Sequence, residues 1–223
     1  MTYALEIEMA TKKTTTAEPA TVTITPPNMR HIAITIVGTA PYGQLRFSEK
    51  AKALMAEKMQ AGTKSKKGAA KPPRDFDDDF RQAQHISEEG WNGIPASALR
   101  NAMIDACRFV GFRMTVGKGA IFVRADGIDR DDGVPLIKIK GKPEPNRMHV
   151  RNATGVADLR VRAMWREWGA DLVLTFDGDQ FTQSDVVNLI ARAGMQVGIG
   201  EGRPFSKSSA GVGWGTFEIK GPK

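Results

Sequence analysis

The sequence predicts an α+β domain in which an antiparallel sheet carries two helices on one face and has inserted loops or hairpins. Three observations predict it. A β-branched run, Arg30-His-Ile-Ala-Ile-Thr-Ile-Val37, reads as a strand with apolar residues on both sides, and hence as central. Two stretches carry helical apolar stripes, one after Gly93-Ile94-Pro95 and one from Thr182 to Ala193. Between and after them the chain alternates as strands do. The resulting order, β–α–(β insertions)–β–α–β, is close to a split βαβ plan.

Residues 11–28 are Thr/Pro-rich and polar, so 1–28 is expected to be a flexible leader. Residues 1–10 carry acids where a secretory signal would have a basic flank and an apolar core. A single domain is expected over 29–221, with insertions at about 39–92 and 127–157. Within the first insertion, Ser48 to Gln60 reads as a helix. Lys64 to Arg74, with Lys64, Lys66 and Lys67, reads as a basic loop, followed at once by Asp75-Phe-Asp-Asp-Asp79.

The first core helix places Leu99, Ala102, Met103, Ala106, Cys107 and Val110 on one stripe, and Gly111 ends it as a C-cap would. Phe109 and Phe112 at its end read as core. Strands follow at 120–124, 136–140, 159–166 and 171–176. A period of two in 159–166 sets Leu159, Val161, Ala163 and Trp165 on one face and Arg160, Arg162 and Arg166 on the other. The second helix opens with Thr182-Gln-Ser-Asp185, a capping box with Asp in place of Glu. A strand over 216–219 closes the pattern.

Between that helix and the last strand lies the most informative stretch. Gly198, Gly200, Gly202, Gly211, Gly213 and Gly215 are too many glycines for an ordinary connection. Each permits positive φ or lets another chain approach the backbone. Arg203 and Lys207 sit among them, so the loop reads as a surface that touches phosphates. Trp214, flanked by glycines, either stacks a base or covers the loop from the inside.

Charge points the same way. The chain of 223 residues carries a net charge of +7, and between Lys138 and Arg166 eight Lys/Arg face two acids. Clustered positive charge is the footprint of a polyanion partner. No apolar run is long enough to span a membrane. The single cysteine, Cys107, excludes an internal disulfide and a cysteine zinc site; it reads as buried packing and fits a cytoplasmic location. His31, His85 and His149 form no metal-binding pair, no phosphate-binding G-x-x-x-x-G-K-[ST] occurs, and the glycine loop follows a helix instead of opening one. No cofactor and no catalytic set is expected. The Asp75–Asp79 run is the one cluster with the makings of a Mg²⁺ site, against the plainer reading of a solvated acidic segment.

Two motifs carry a resemblance. Gly93-Ile94-Pro95-Ala96-Ser97-Ala98-Leu99-Arg100 resembles the "I-P-x-S-x-(L/I)-(K/R)" segment that opens the first helix of the RAMP superfamily. That superfamily includes the Cas7-like group of RNA-binding proteins with an RRM-type, ferredoxin-like core. Val197-Gly-Ile-Gly-Glu-Gly-Arg203 and Gly211-Val-Gly-Trp-Gly-Thr-Phe217 are similar to that group's C-terminal glycine-rich loop, although the spacer between them is long and Glu201 is acidic. The resemblance covers roughly 30–38, 93–126 and 157–219. It implies a CRISPR backbone-type subunit that oligomerises along a guide RNA. The implied contacts are Ser97, Arg100, Gly200, Gly202 and Arg203, with Lys64–Arg74 or Lys138–Arg151 as a projecting element. In some members an Asp in the loop before the first helix cuts target RNA, which is where Asp75–Asp79 falls. Two other readings stand beside it: a structural or assembly protein of a virus or mobile element, and a single-strand DNA-binding or annealing protein.

Overall fold

The computed structural model describes residues 24–60, 74–151, 155, 157–207, 209 and 211–221, without the side chains of Lys50, Lys58 and Arg151. In chain order the elements are β1 (Met29–Gly38), β2 (Tyr42–Gln44), α1 (Glu49–Gln60), α2 (Phe76–Gln82), β3 (Gly93–Pro95), α3 (Ala96–Ala106), α4 (Met114–Ala120), β4 (Ile121–Arg124), β5 (Gly127–Ile128), β6 (Pro135–Lys140), β7 (Glu144–Arg151), β8 (Ala157–Trp165), β9 (Gly169–Asp177), α5 (Gln183–Arg192) and β10 (Phe217–Ile219). A 3₁₀ turn, Cys107–Val110, prolongs α3, and a π turn, Ala193–Val197, prolongs α5. The protein is α+β with antiparallel sheets, as the sequence predicts.

The larger sheet runs β10-β1-β9-β6-β3, with β4 also on β9 and β5 on β6. Every pairing is antiparallel. β1 and β9 share nine residue pairs, from Met29↔Asp177 to Val37↔Gly169. Ile34 and Ile36 of β1 and Leu172, Leu174 and Phe176 of β9 are buried in one core with Leu99 and Met103 of α3 and Val186 and Ile190 of α5. The opposite face is open to solvent and mixed, with Ala33, Val37 and Phe122 beside polar pairs. His31 Nδ1 lies 2.9 Å from Thr175 Oγ1, and Thr35 donates to Asp171 at 2.8 Å. β1 is central because both of its edges are paired, not because both of its faces are covered.

A second sheet, β2-β8-β7, is built from the insertions. β7 and β8 form a hairpin from Glu144↔Met164 to Arg151↔Ala157. Tyr42 of β2 is buried, with ring centroids 5.5 Å from Trp165 and 5.4 Å from Trp168. Burial raises the Tyr42 hydroxyl far above its ordinary value, more than its Gln44 hydrogen bond lowers it, so it stays neutral. Trp165 and Cys107 are fully buried as expected, and burial pushes the Cys107 thiol up. Phe109 and Val110 correct the expectation: the chain turns into the 3₁₀ segment before reaching them and leaves both exposed, Phe109 meeting only the edge of Phe205 at 5.2 Å. The Thr182 capping box forms, with Asp185 N–H donating to Thr182 Oγ1 and Thr182 N–H to Asp185. The leader falls almost wholly outside the described residues; 24–28 have no regular structure. Among the described residues no helix is long and apolar enough to cross a membrane.

One ion cluster ties the first insertion down. Arg46, whose side chain is 4% exposed, donates to Glu49 (2.7 Å), Asp131 (2.8 Å) and Asp132 (2.8 Å). Lys52 of α1 reaches Glu49 and Asp132. A buried guanidinium is tolerated only with such pairing, and removing one partner of a buried pair typically costs about 3–5 kcal/mol. The Arg46 hydrogen bond, helped by Lys52 against a smaller opposing effect of burial, holds the Asp132 carboxyl down at about 2. A depressed carboxylate contributes stability above its unfolded value and loses it as pH falls through its folded value. Urea titrations should therefore show constant stability from neutral pH to about pH 4 and then a loss, attributable to Asp132, on the order of 1 kcal/mol by about pH 2. Asp132→Asn should be less stable at pH 7 and lack that component; identical acid profiles for the two proteins would refute the assignment.

Candidate nucleic-acid interface

The glycine loop closes the gap between the two sheets. Glu201 N–H donates to Gly43 O (2.9 Å), Gly215 N–H to Pro41 O (2.8 Å), and Ile199 N–H to Gly215 O (3.0 Å). The stretch 41–43 is thus gripped between both arms of the loop. Gly198, Gly200, Gly202 and Gly215 have φ near +70°. A Cβ on Gly200 would meet Gly43 O and, at 2.5 Å, the Tyr42 ring; one on Gly202 would meet Val212 at 2.5 Å and Trp214 at 2.8 Å. These glycines serve close packing of the loop on the protein. Their backbone is also at the surface of cavities, Gly202 in the one beside β8 and Gly198 and Gly200 in a smaller one with Tyr42 and Gly43.

Beside the loop, the face of β8 that the alternation assigned to arginines forms the wall of a cavity of about 410 Å³. Arg160 and Arg162 line it from β8, Met148 and Val150 from β7, and Arg203, Ser206, Lys207 and Trp214 from the loop. Glu201 is its one carboxylate, so four cations face a single acid. Trp214 lines the cavity, and its ring covers Gly202 and Gly43 as in the second of the two readings of the sequence. Arg203 holds the loop by donating to Gly200 O (2.9 Å) and Ser206 Oγ (2.8 Å).

Arg162 is the unusual member. Its side chain is 7% exposed, Nε approaches Glu201 at only 3.5 Å, and the guanidinium lies 5.9 Å from the Trp214 centroid. Among the described residues Nη1 has no hydrogen-bond partner, nor has Oδ1 of Asn146, its direct cross-strand neighbour. A buried donor left without an acceptor costs about 1–3 kcal/mol, and more when charged.

Other expected contacts lie elsewhere. Arg166 is beyond the end of β8, exposed, and paired with Glu144 at 3.0 Å. Arg100 donates to Ile121 O at 2.9 Å and to Lys118 O, which staples α3 to α4 and β4. Ser97 is exposed in the first turn of α3. The turn's neighbours Pro95, Ala98 and Asn101 border a smaller cavity of about 270 Å³ shared with Gly198, Gly200 and Arg203, so the two sequence motifs do meet in space. Lys64, Lys66 and Lys67 lie outside the described residues. The basic stretch 138–166 is divided: Lys140 pairs with Asp171 (2.7 Å) on the open sheet face, and Arg147 sits over Phe76 and near Asp77 (3.5 Å).

The Asp75–Asp79 run is the beginning of α2. Asp75 caps the helix by accepting from the N–H groups of Asp77 and Asp78, Asp79 pairs with Arg74 at 2.9 Å, and Asp78 accepts from Gln82 at 2.6 Å. Anionic side chains belong at a helix N-terminus. Among the described residues, the group within reach of a shared metal is His85, Asp129 and Asp132. Arg46 and Lys52 already occupy Asp132. Asp129 accepts from His85 (2.8 Å) and from the N–H groups of Asp131 and Asp132, which together outweigh its burial and hold it below its ordinary value. These cations and N–H groups take the place of a metal.

Packing at Gly200 has a direct readout. Gly200→Val should unfold at lower urea, by about 3 kcal/mol or more from positive φ and overpacking together. Unchanged stability with lost binding would instead assign Gly200 to ligand contact. Comparison with known proteins leaves the cleft to be read from its own chemistry: no family model and no curated protein matches this chain.

Proposed function

We propose that this chain is a sequence-independent binder of single-stranded nucleic acid, RNA favoured over DNA, that oligomerises along the strand in the manner of a Cas7-like backbone subunit. The observation that carries the reading is the cleft between β8 and the glycine loop, where four cations meet one carboxylate beside a half-buried tryptophan. Basic grooves with a stacking surface follow a single strand without reading its sequence.

The core supports an RRM-type assignment. β1, α3, β4, β9, α5 and β10 follow one another as β–α–β–β–α–β, and the strands lie in the order β10-β1-β9-β4, as in a split βαβ unit. The open sheet face offers Phe122 as its sole aromatic among the described residues of β1, β4, β9 and β10. RRM domains that bind through the sheet stack bases on several. The strand is therefore assigned to the cleft and not to the sheet. Oligomerisation finds support in α1, where Leu54, Met55 and Met59 are exposed along one side. The reading is of a non-enzyme in a cytoplasmic setting, with the Asp75–Asp79 carboxylates committed to capping and ion pairs.

Fluorescence anisotropy with labelled oligouridine and oligothymidine tests it. Binding should weaken steeply between about 50 and 200 mM salt, and Arg160→Ala or Lys207→Ala should each flatten the log K against log[salt] slope by about 0.7. Arg166→Ala, which sits outside the cleft, should leave the slope unchanged. No binding to either oligonucleotide at about 50 mM salt, and no nucleic acid co-purifying with the protein, would overturn the reading in favour of an assembly protein.

A further inference from the structure

Most of the cleft is a shallow cationic surface, but Arg162 is not part of that surface in the same sense as Arg160 or Lys207. It is buried, its Nη1 has no acceptor among the described residues, and it lines a cavity of about 410 Å³. That volume falls in the range of small-molecule sites and suits one nucleotide, not a length of strand. Glu201 is too long a contact at 3.5 Å, and too solvent-exposed, to satisfy the guanidinium. Asn146, in register across β7–β8, leaves a buried oxygen unpaired on the same face. Neither β-strand can shift to relieve this, because the hairpin is paired over eight positions.

We propose that the cavity is a slot for one phosphate ester of a nucleotide, with the Arg162 guanidinium donating to a phosphate oxygen at the β8 wall of the site and the Trp214 ring flanking the nucleotide. Each chain then fixes one phosphate on Arg162 and holds the neighbouring ones loosely on Arg160 and Lys207. The inference rests on reading the cleft as a nucleic-acid surface and adds that its contacts are unequal. The strand would have a register on each chain although its bases are not read. The group in the slot is either a terminal monophosphate or an internal diester, which share the chemistry that Arg162 recognises.

The decisive variant is Asn146→Asp. It sets a negative charge directly opposite Arg162 at cross-strand distance, which neutralises the guanidinium and competes with a phosphate for it. Calorimetric titration with adenosine monophosphate and with inorganic phosphate should show one site per chain in the wild type. Asn146→Asp should lose at least tenfold in affinity for adenosine monophosphate while melting at the same or a higher temperature. Arg162→Met should lose the site as well. Binding of adenosine monophosphate within twofold of wild type in Asn146→Asp overturns the slot, whether or not Arg162→Met folds. A wild type that does not bind adenosine monophosphate overturns the slot too; if the wild type still binds oligouridine, the slot alone has failed and the strand-binding reading stands, and if it binds neither compound, both have failed. Within the proposal, tighter binding of 5′-phosphorylated than of 5′-hydroxyl oligouridine assigns the slot to a terminal phosphate, and equal binding with the same Asn146→Asp loss assigns it to a diester.

Discussion

The close passage of the glycine loop over residues 41–43 is the constraint on which the rest of this architecture depends. Two sheets with different strand sets must be joined, and the joint is made by backbone lying on backbone: Glu201 on Gly43, Gly215 on Pro41, Ile199 on Gly215. Side chains other than hydrogen at these glycines would hold the segments apart. Because the joint is so tight, β8 and the loop stand at a fixed separation, and the cationic cavity is the space left between them. The cleft is thus a consequence of how the sheets are connected, and its width is set by main-chain geometry.

Electrostatics is organised in two opposite ways within one molecule. Around Arg46 every charge has its counterpart, and carboxylates outnumber cations. Around Arg162 cations outnumber carboxylates, and one donor has no acceptor among the described residues. Both arginines are buried, so burial itself does not separate a fully paired arginine from an incompletely paired one. The completeness of the hydrogen bonding does.

The long alternating and helical stretches were legible in the sequence because their periodicities are local. β1, β9 and α5 lie within a residue or two of where apolar spacing puts them, α3 starts after Pro95 but ends at Ala106, short of Val110, and the Thr182 box is read directly from four residues. The short strands β2, β3 and β5 were not legible. Two or three residues carry no period, and these segments are strands only because β8 and β6 offer them an edge. Of the site, the arginine alternation on β8 was visible, since a period of two sets Arg160 and Arg162 on one face. What it lacked was an end point: nothing local told that the strand stops at Trp165, which sends Arg166 to Glu144. The structural role of Arg100 had no signal either, because its acceptors lie some twenty residues away, in β4 and in a helix, α4, that the sequence does not announce. Asn146 had no signal at all; its significance is purely a matter of register.

The pairing of β1 with β9 and β10 also sets an order of events during synthesis. β1 leaves the ribosome early, yet both strands that flank it come from the last third of the chain. A strand whose two edges wait for partners more than a hundred residues downstream cannot begin the main sheet by itself, and contacts of such long sequence separation form slowly. The β7–β8 hairpin and the α3 region, whose contacts are local, assemble first. β10, only three residues long, docks last and brings the glycine loop with it. The cleft therefore takes shape only when β10 and the glycine loop close on the segment after β1, later than the local hairpin that carries Arg160 and Arg162.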